Sequence, residues 1–218
     1  MTTVYAGIMA GGTGTRLWPL SDKNRPKQLM PFLNNNSLLD QAIERVMPLV
    51  TTPEKIFVVT SAEQEELIKQ SVGKKIGFIV SEPEGRNTAP AILLGCYRVY
   101  QQNPEAVVIF LPADHFMPEI QAFATIVAKA IAHVEKHNNI ALFGLKPRHA
   151  AIGYGYIQTN PSENEQDFFS VVKFHEKPSA ALAQVYAASD DMLWNMGIFV
   201  AKVSTFYKSL KCVRPCLI

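Results

Sequence analysis

The sequence has little cysteine, no long apolar run and no marked excess of charge of either sign. Its three cysteines, Cys96, Cys212 and Cys216, form no C-x-x-C pair. An odd, sparse count argues against a disulfide framework and fits a reducing cytosol. The opening "MTTVYAGIMAGG" has no basic n-region, and its apolar run is too short for a signal peptide. No run approaches the length of a membrane span. These absences predict a cytoplasmic protein with no membrane partner. Lysine and arginine number 21 against 19 aspartates and glutamates, a net charge of +2. No global field therefore points to nucleic acid or to an acidic partner, and any positive potential must be local.

What is present is an ordinary globular balance. The chain has 218 residues, 48% apolar and 18% charged, enough for one large domain or two small ones with a sizeable core. Short apolar runs at 4–10, 55–60, 75–80, 106–112 and 139–145 predict buried strands. Helical patterns at 37–47, 62–72, 88–102 and 119–137 fall between them. Ser37 followed by Asp40 predicts a capping box. Asn87 or Thr88 is placed to cap the helix at 88, with Pro90 in its first turn. This alternation implies a mostly parallel sheet covered on both faces. After residue 150 the period changes. "GYGYIQT" and "FFSVVKFHEK" predict antiparallel strands, "PSAALAQVYAAS" a helix and "LWNMGIFVA" a further strand. With no repeat, low-complexity segment or linker, residues 1–218 are expected to form one mixed α/β domain.

The first strand runs into "MAGGTGTRLWPLSDKNRPKQLMP", with three glycines and four basic residues. Glycines let backbone N–H groups come close to a ligand, so a loop of Gly11, Gly12, Thr13, Gly14 and Thr15 can wrap phosphate oxygens. Two familiar loops fail. A P-loop ends in G-K-[ST], where this chain has Arg16-Leu17. A dinucleotide loop needs a third glycine that this chain lacks, and Pro19 opposes a long helix opening there. A glycine turn with solvated charges is the plain alternative. Arg16, Arg25 and Lys27 within so short a span favour a polyanion site.

"GGTGTRLWPLS" followed by "RPKQ" resembles the sugar-phosphate nucleotidyltransferases. The W-P-L-S and P-K-Q forms are similar to the mannose-1-phosphate guanylyltransferase branch, and the resemblance extends to about Phe206. It implies a Rossmann-like three-layer α/β fold with a mixed, mainly parallel central sheet. It also implies that the Gly-loop amides hold a nucleoside triphosphate, that Arg16 binds the departing pyrophosphate portion, and that Lys27 sits at the α-phosphate. A fixed ammonium aimed at charge that develops during transfer stabilises the transition state more than the ground state.

Five further stretches carry candidate residues. In "SEPEGRNTAPAI", Glu82, Gly85, Arg86 and Asn87 form a polar loop before a helix whose N-terminal N–H groups are free for anions or a polar base. A capped helix start is the structural alternative. The stretch resembles the guanine-side loop of guanylyltransferases, and a carboxylate such as Glu82 can accept from a guanine edge that adenine lacks; a backbone carbonyl would serve equally. In "LPADH", Asp114 lies just past a strand's C-terminal end, where ligands of parallel sheets bind. It suits Mg²⁺ as a hard oxygen ligand, with a turn or helix cap as the alternative. The motif is similar to the family's metal site; His115 stays ambiguous. "GYGYI", "FHEKP" and "WNMGIF" resemble acceptor-side motifs, which assigns Gly155, Glu176, Lys177 and Asn195 to the sugar phosphate. The last motif departs from the family at Met196, where a small residue is usual.

The resemblance implies attack by the phosphate of mannose 1-phosphate on the α-phosphorus of GTP, giving GDP-mannose and pyrophosphate. A phosphate dianion is already a nucleophile, so no Ser–His–Asp or Cys–His arrangement is needed. Family members run on past "WNMGIF" to a second metal-binding Asp and a β-helical or cupin-like tail. The chain is thus expected to be incomplete at its C-terminus. Homo-oligomers are compatible with all of this. The competing readings are a uridylyl- or thymidylyltransferase acting with glucose 1-phosphate, a catalytically silent nucleotide-sugar-binding subunit, and a plain α/β interaction domain.

Overall fold

The computed structural model describes residues 2–12, 21–22, 26–33, 36–85, 87–165 and 168–211. The chain divides into two compact units, Met1–Ala141 with Phe199–Ile218, and Leu142–Ile198.

In the first unit, strand β1 (Val4–Met9) leads past a short antiparallel pair, β2 (Pro31–Leu33) and β3 (Asn36–Ser37), to helix α1 (Leu38–Val46). There follow β4 (Ile56–Ser61), α2 (Glu65–Val72), β5 (Phe78–Glu82), α3 (Thr88–Tyr100), β6 (Val107–Pro112) and α4 (Ile120–His137). The sheet runs β5-β4-β1-β6, all parallel. Register pairs Ala6 with both Ile56 and Ile109. Phe199–Lys202, the end of β10 (Met192–Lys202), adds an antiparallel strand beside β6. Helix α6 (Val203–Lys211) then packs on α3. The sheet is mixed and mainly parallel, as the strand–helix alternation predicts.

Side-chain alternation assigns the two faces. Tyr5, Phe57, Val59, Val108 and Phe110 join Ile92, Cys96 and Val99 of α3 and Phe206 of α6 in one core. Ala6, Ile8, Ile56, Val58, Ile109 and Leu111 are buried on the other face. There α1 packs on β1 and α4. Helices thus cover both faces of the sheet, which gives three layers.

The Ser37 capping box forms: Ser37 Oγ accepts from the Asp40 N–H at 3.0 Å, and the Ser37 N–H donates to Asp40 Oδ2 at 3.2 Å. Two predicted details differ. The third strand starts at Phe78 and runs to Glu82, because its ladder follows β4 as far as the Ser61–Glu82 pair. Asn87 stands at the N-cap of α3 with φ 69° and makes no side-chain cap hydrogen bond.

In the second unit, β7 (Ala141–Leu145) pairs with β10, the Met192–Trp194 part of β10 pairs antiparallel with β8 (Tyr156–Glu165), and β8 pairs antiparallel with β9 (Phe168–His175). Helix α5 (Ala180–Ala188) follows β9. Ala151, Tyr156, Met192 and Trp194 form its small core, and the Tyr156 hydroxyl donates to the Ala151 carbonyl at 3.0 Å. The run at 153–155 precedes β8 rather than forming part of a strand.

The approach of α3 to the sheet is set by two glycines that bracket aromatic rings. A Cβ on Gly7 would lie 2.6 Å from the Phe57 ring and 2.7 Å from the Phe110 ring. A Cβ on Gly95 would lie 2.8 Å and 2.9 Å from the same rings. Phe57 and Phe110 meet edge-on with centroids 5.8 Å apart, and Phe57 stacks on Phe78 at 4.9 Å. A methyl group at Gly7 must displace rings that are fully buried. Gly7→Ala is expected to cost about 1–3 kcal/mol by overpacking, seen as a lower urea midpoint with an unchanged m-value.

Candidate functional site

Parallel pairing sends the C-terminal ends of β1, β4, β5 and β6 to one edge of the first unit's sheet. The candidate residues gather there. β1 passes into Ala10, Gly11 and Gly12; β4 into the turn that carries Gln64; β5 ends on Glu82; β6 is followed by Asp114. Two backbone hydrogen bonds fix this edge: the Ala10 N–H donates to the Val59 carbonyl at 2.8 Å, and the Ala113 N–H to the Met9 carbonyl at 2.9 Å.

Lys27 opens a 3₁₀ turn, Lys27–Leu29, and its ammonium donates to Asp114 Oδ2 across 87 residues of sequence. The two residues assigned to the α-phosphate and to the metal are therefore joined in one ion pair. Burial acts to raise the Asp114 carboxyl. The Lys27 hydrogen bond and charge, helped by His115, outweigh it and hold the carboxyl below the usual aspartate value. Lowering of this kind contributes stability above the ordinary carboxylate range, lost as pH falls through the lowered value. Beneath the pair, Arg45 of α1, 1% exposed, donates from Nη2 to the His115 carbonyl at 2.7 Å. Burial, together with the charges of Arg45 and Lys27, pushes the His115 ring below its usual value despite the opposing pull of Asp114.

Glu82 is the last residue of β5, not part of the following loop, and is 5% exposed. Its Oε1 has no hydrogen-bond partner among the described residues. Its Oε2 would lie 3.2 Å from a Cβ at Gly11. Burial alone pushes this carboxyl up. Gly12, Gly85 and Asn87 are exposed near these strand ends. Thr13, Gly14, Thr15, Arg16 and Arg86 lie outside the described residues, as do Pro19 and Arg25.

The second unit brings its four candidates together. The Asn195 N–H donates to the Gly155 carbonyl at 2.8 Å, and Asn195 Oδ1 accepts from the Gly197 N–H at 3.0 Å. A Cβ on Gly155 would lie 2.6 Å from the Phe174 ring and 3.0 Å from Glu176 Oε2, so a side chain there would displace both. Glu176 and Lys177 pair at 2.8 Å, both more than half exposed. Lys177 has φ 43°, a left-handed conformation that costs a non-glycine residue about 1–2 kcal/mol. Backbone strain of this kind collects at ligand sites. His149 and Tyr154 meet Trp194 edge-on at 4.8 and 5.2 Å.

Sequence reasoning passed over several residues at the sheet edge. Gln28, Thr60 and Gln64 are buried and hydrogen-bond beneath the Gly loop. Gln28 lies in the "PKQ" motif, but Thr60 and Gln64 lie in none. Cysteine chemistry is not on offer at Cys96: it is fully buried in α3, and burial pushes its thiol up. Among the described residues no three His, Cys, Asp or Glu side chains converge. The donor set therefore does not fit an all-protein metal cage. It fits a Mg²⁺ ion that takes one protein carboxylate, Asp114, and completes its shell with phosphate and water. No helix among the described residues is long and apolar enough to cross a membrane.

The profile of the nucleotidyl transferase family matches residues 5–215. The chain is 34% identical to "Mannose-1-phosphate guanylyltransferase 2" of Escherichia coli O157:H7, covering 97% of this chain and 46% of that protein. It is also 34% identical to "Xanthan biosynthesis protein XanB" of Xanthomonas campestris pv. campestris, covering all of this chain and 46% of the relative. The chain thus spans just under half the length of these curated relatives. A solved structure described as mannose-1-phosphate geranyltransferase from Thermus thermophilus superposes with a TM-score of 0.86 at 32% identity, covering 97% of this chain and 64% of that one.

The raised Glu82 carboxyl has a testable consequence. The folded state binds this proton more tightly than the unfolded state, so its contribution to stability falls as pH rises from the ordinary glutamate value to the raised one, then levels off. Urea unfolding of wild type and Glu82→Gln is expected to show the variant gaining relative stability across that window, with the smallest difference at the acid end.

Proposed function

The chain belongs to the nucleotidyl transferase family, and on that premise we propose that it transfers GMP from GTP to mannose 1-phosphate, giving GDP-mannose and pyrophosphate. The observation that carries the reading is the Lys27–Asp114 pair beside the Gly loop at the C-terminal edge of the parallel sheet. A cation for the α-phosphate and a carboxylate for the metal stand together where such sheets bind ligands. The names of the similar proteins favour mannose 1-phosphate as acceptor.

Gly11, Gly12, Thr13, Gly14 and Thr15 would present backbone N–H groups to the triphosphate, with Arg16 at the departing pyrophosphate. Glu82, with Oε1 free of partners among the described residues, would accept from the guanine edge, and Gly85, Arg86 and Asn87 would complete the base side. In the second unit, Glu176 and Asn195 would take sugar hydroxyls, Lys177 the sugar's phosphate, and Gly155 would let the ring approach the backbone. Asp114 would hold Mg²⁺, which supplies charge neutralisation at the phosphates. Lys27 and Asp114 neutralise each other. In a complex, Asp114 would turn to the metal and Lys27 to the α-phosphate.

The chemistry balances without a protein nucleophile. An oxygen of the sugar phosphate forms the new bond to the α-phosphorus in line, the α–β bridging P–O bond breaks, and pyrophosphate leaves with that electron pair. Lys27 then acts where negative charge grows, which is the condition for lowering the barrier rather than merely tightening binding. The two units would together make one nucleotidyltransferase domain working in the cytoplasm, with its product entering polysaccharide biosynthesis.

Pyrophosphate release by the purified chain should require GTP, mannose 1-phosphate and Mg²⁺ together. Lys27→Ala should lower turnover on the order of 10²–10³-fold. Preferential turnover of UTP or dTTP with glucose 1-phosphate would move the assignment to another base and sugar. Unchanged turnover in Lys27→Ala would remove Lys27 from the chemistry.

A further inference from the structure

We propose that Gln64 is a positioning residue that, through Gln28, holds the Gly loop in the conformation that receives a polyphosphate; the ligand part of this rests on the reading of the loop as a triphosphate site. Gln28 is 2% exposed, Gln64 6% and Thr60 not at all. Gln28 Nε2 donates to the Ala10 carbonyl at 2.6 Å and to Gln64 Oε1 at 2.8 Å. Gln64 Nε2 in turn donates to the Gly12 carbonyl at 3.1 Å. Thr60 Oγ1 lies 3.4 Å from the Ala10 carbonyl and 3.5 Å from Gln64 Oε1. These residues lie on three separate segments: the loop after β1, the turn that carries Lys27, and the end of β4 with its following turn.

The direction of the relay is fixed by its ends. Both termini are backbone carbonyls, which only accept. Gln28 must therefore point its amide nitrogen at Ala10, and its second N–H needs an acceptor, which Gln64 Oε1 supplies. That places the Gln64 nitrogen toward Gly12. Turning either amide over would set donor against donor or oxygen against oxygen in a buried place, at a cost set by the lost hydrogen bonds.

The loop feels this through peptide geometry. In a trans peptide the C=O and the following N–H point to opposite sides. Holding the Ala10 carbonyl against Gln28 turns the Gly11 N–H away from the relay. Holding the Gly12 carbonyl against Gln64 removes a partial negative charge from the side a phosphate must approach. Without the relay, glycines on either side leave the peptide free to turn over. Because Gln28 follows Lys27 directly, the same relay ties the loop to the segment that carries the ammonium.

The experiment reads the loop and the ligand separately. Gln64→Leu removes the bond to Gly12 and the acceptor that orients Gln28, at similar volume, and Gln64→Met replaces it should the leucine variant not fold. Amide hydrogen exchange by mass spectrometry follows the peptide containing Ala10, Gly11 and Gly12 with no ligand present. Calorimetry follows GTP with Mg²⁺. Ser37→Ala, which weakens a remote helix cap, controls for general destabilisation. The expected result is at least tenfold faster exchange in that peptide and about tenfold weaker GTP binding, with the control unchanged in both. Unchanged loop exchange in the Gln64 variant overturns the proposal, whatever GTP does. Faster exchange with wild-type GTP affinity also overturns it, since the loop would then be held for no ligand. If wild type binds no nucleotide while the variant still loosens the loop, the nucleotide reading fails and the positioning role stands.

Discussion

Parallel pairing of β1 with both β4 and β6 is the constraint on which the first unit's site depends. An antiparallel neighbour would send the end of its strand to the opposite edge. Here four consecutive parallel strands deliver the Gly loop, Gln64, Glu82 and Asp114 to one edge. The buried apolar ladder that enforces this register, from Ala6 and Ile8 to Ile109 and Leu111, contains no functional residue of its own. Its role is to fix strand ends, and the candidate site residues lie just past them.

Two carboxylates at that edge are pushed in opposite directions. Burial raises both, but Asp114 has Lys27 beside it and ends below the usual value, whereas Glu82 has no compensating cation among the described residues and ends above. Asp114 stays a charged oxygen donor suited to a metal. Glu82 is exchangeable between an acceptor and a protonated form at higher pH than an exposed glutamate. Environment, not residue type, separates the two roles.

Much of this architecture was legible in the chain. Short apolar runs located every strand of the parallel sheet, helical patterns the helices between them, and Ser37–Asp40 announced its capping box. The boundaries that moved did so through tertiary pairing: β5 ends on Glu82 because β4 continues to Ser61, which local pattern does not show. Resemblance assigned Lys27 to the α-phosphate and Asp114 to the metal, but no spacing rule announces that the two side chains pair across that separation. The Gln28–Gln64 relay was not legible. Glutamine carries no periodic or spacing signal, and its importance here comes from buried carbonyls that only the folded chain creates. The division into two units was likewise hidden, since β10 runs through both without a Gly- or Pro-rich break.

The central claim is that Lys27 meets the α-phosphate of a bound nucleoside triphosphate. Phosphorus NMR of GTP with Mg²⁺ and no acceptor tests it directly, comparing wild type with Lys27→Met. The account predicts that wild type shifts the α-phosphorus resonance on binding, and that the variant loses that shift while keeping those of the β- and γ-phosphorus. An α-phosphorus resonance that is the same in both bound proteins would contradict it.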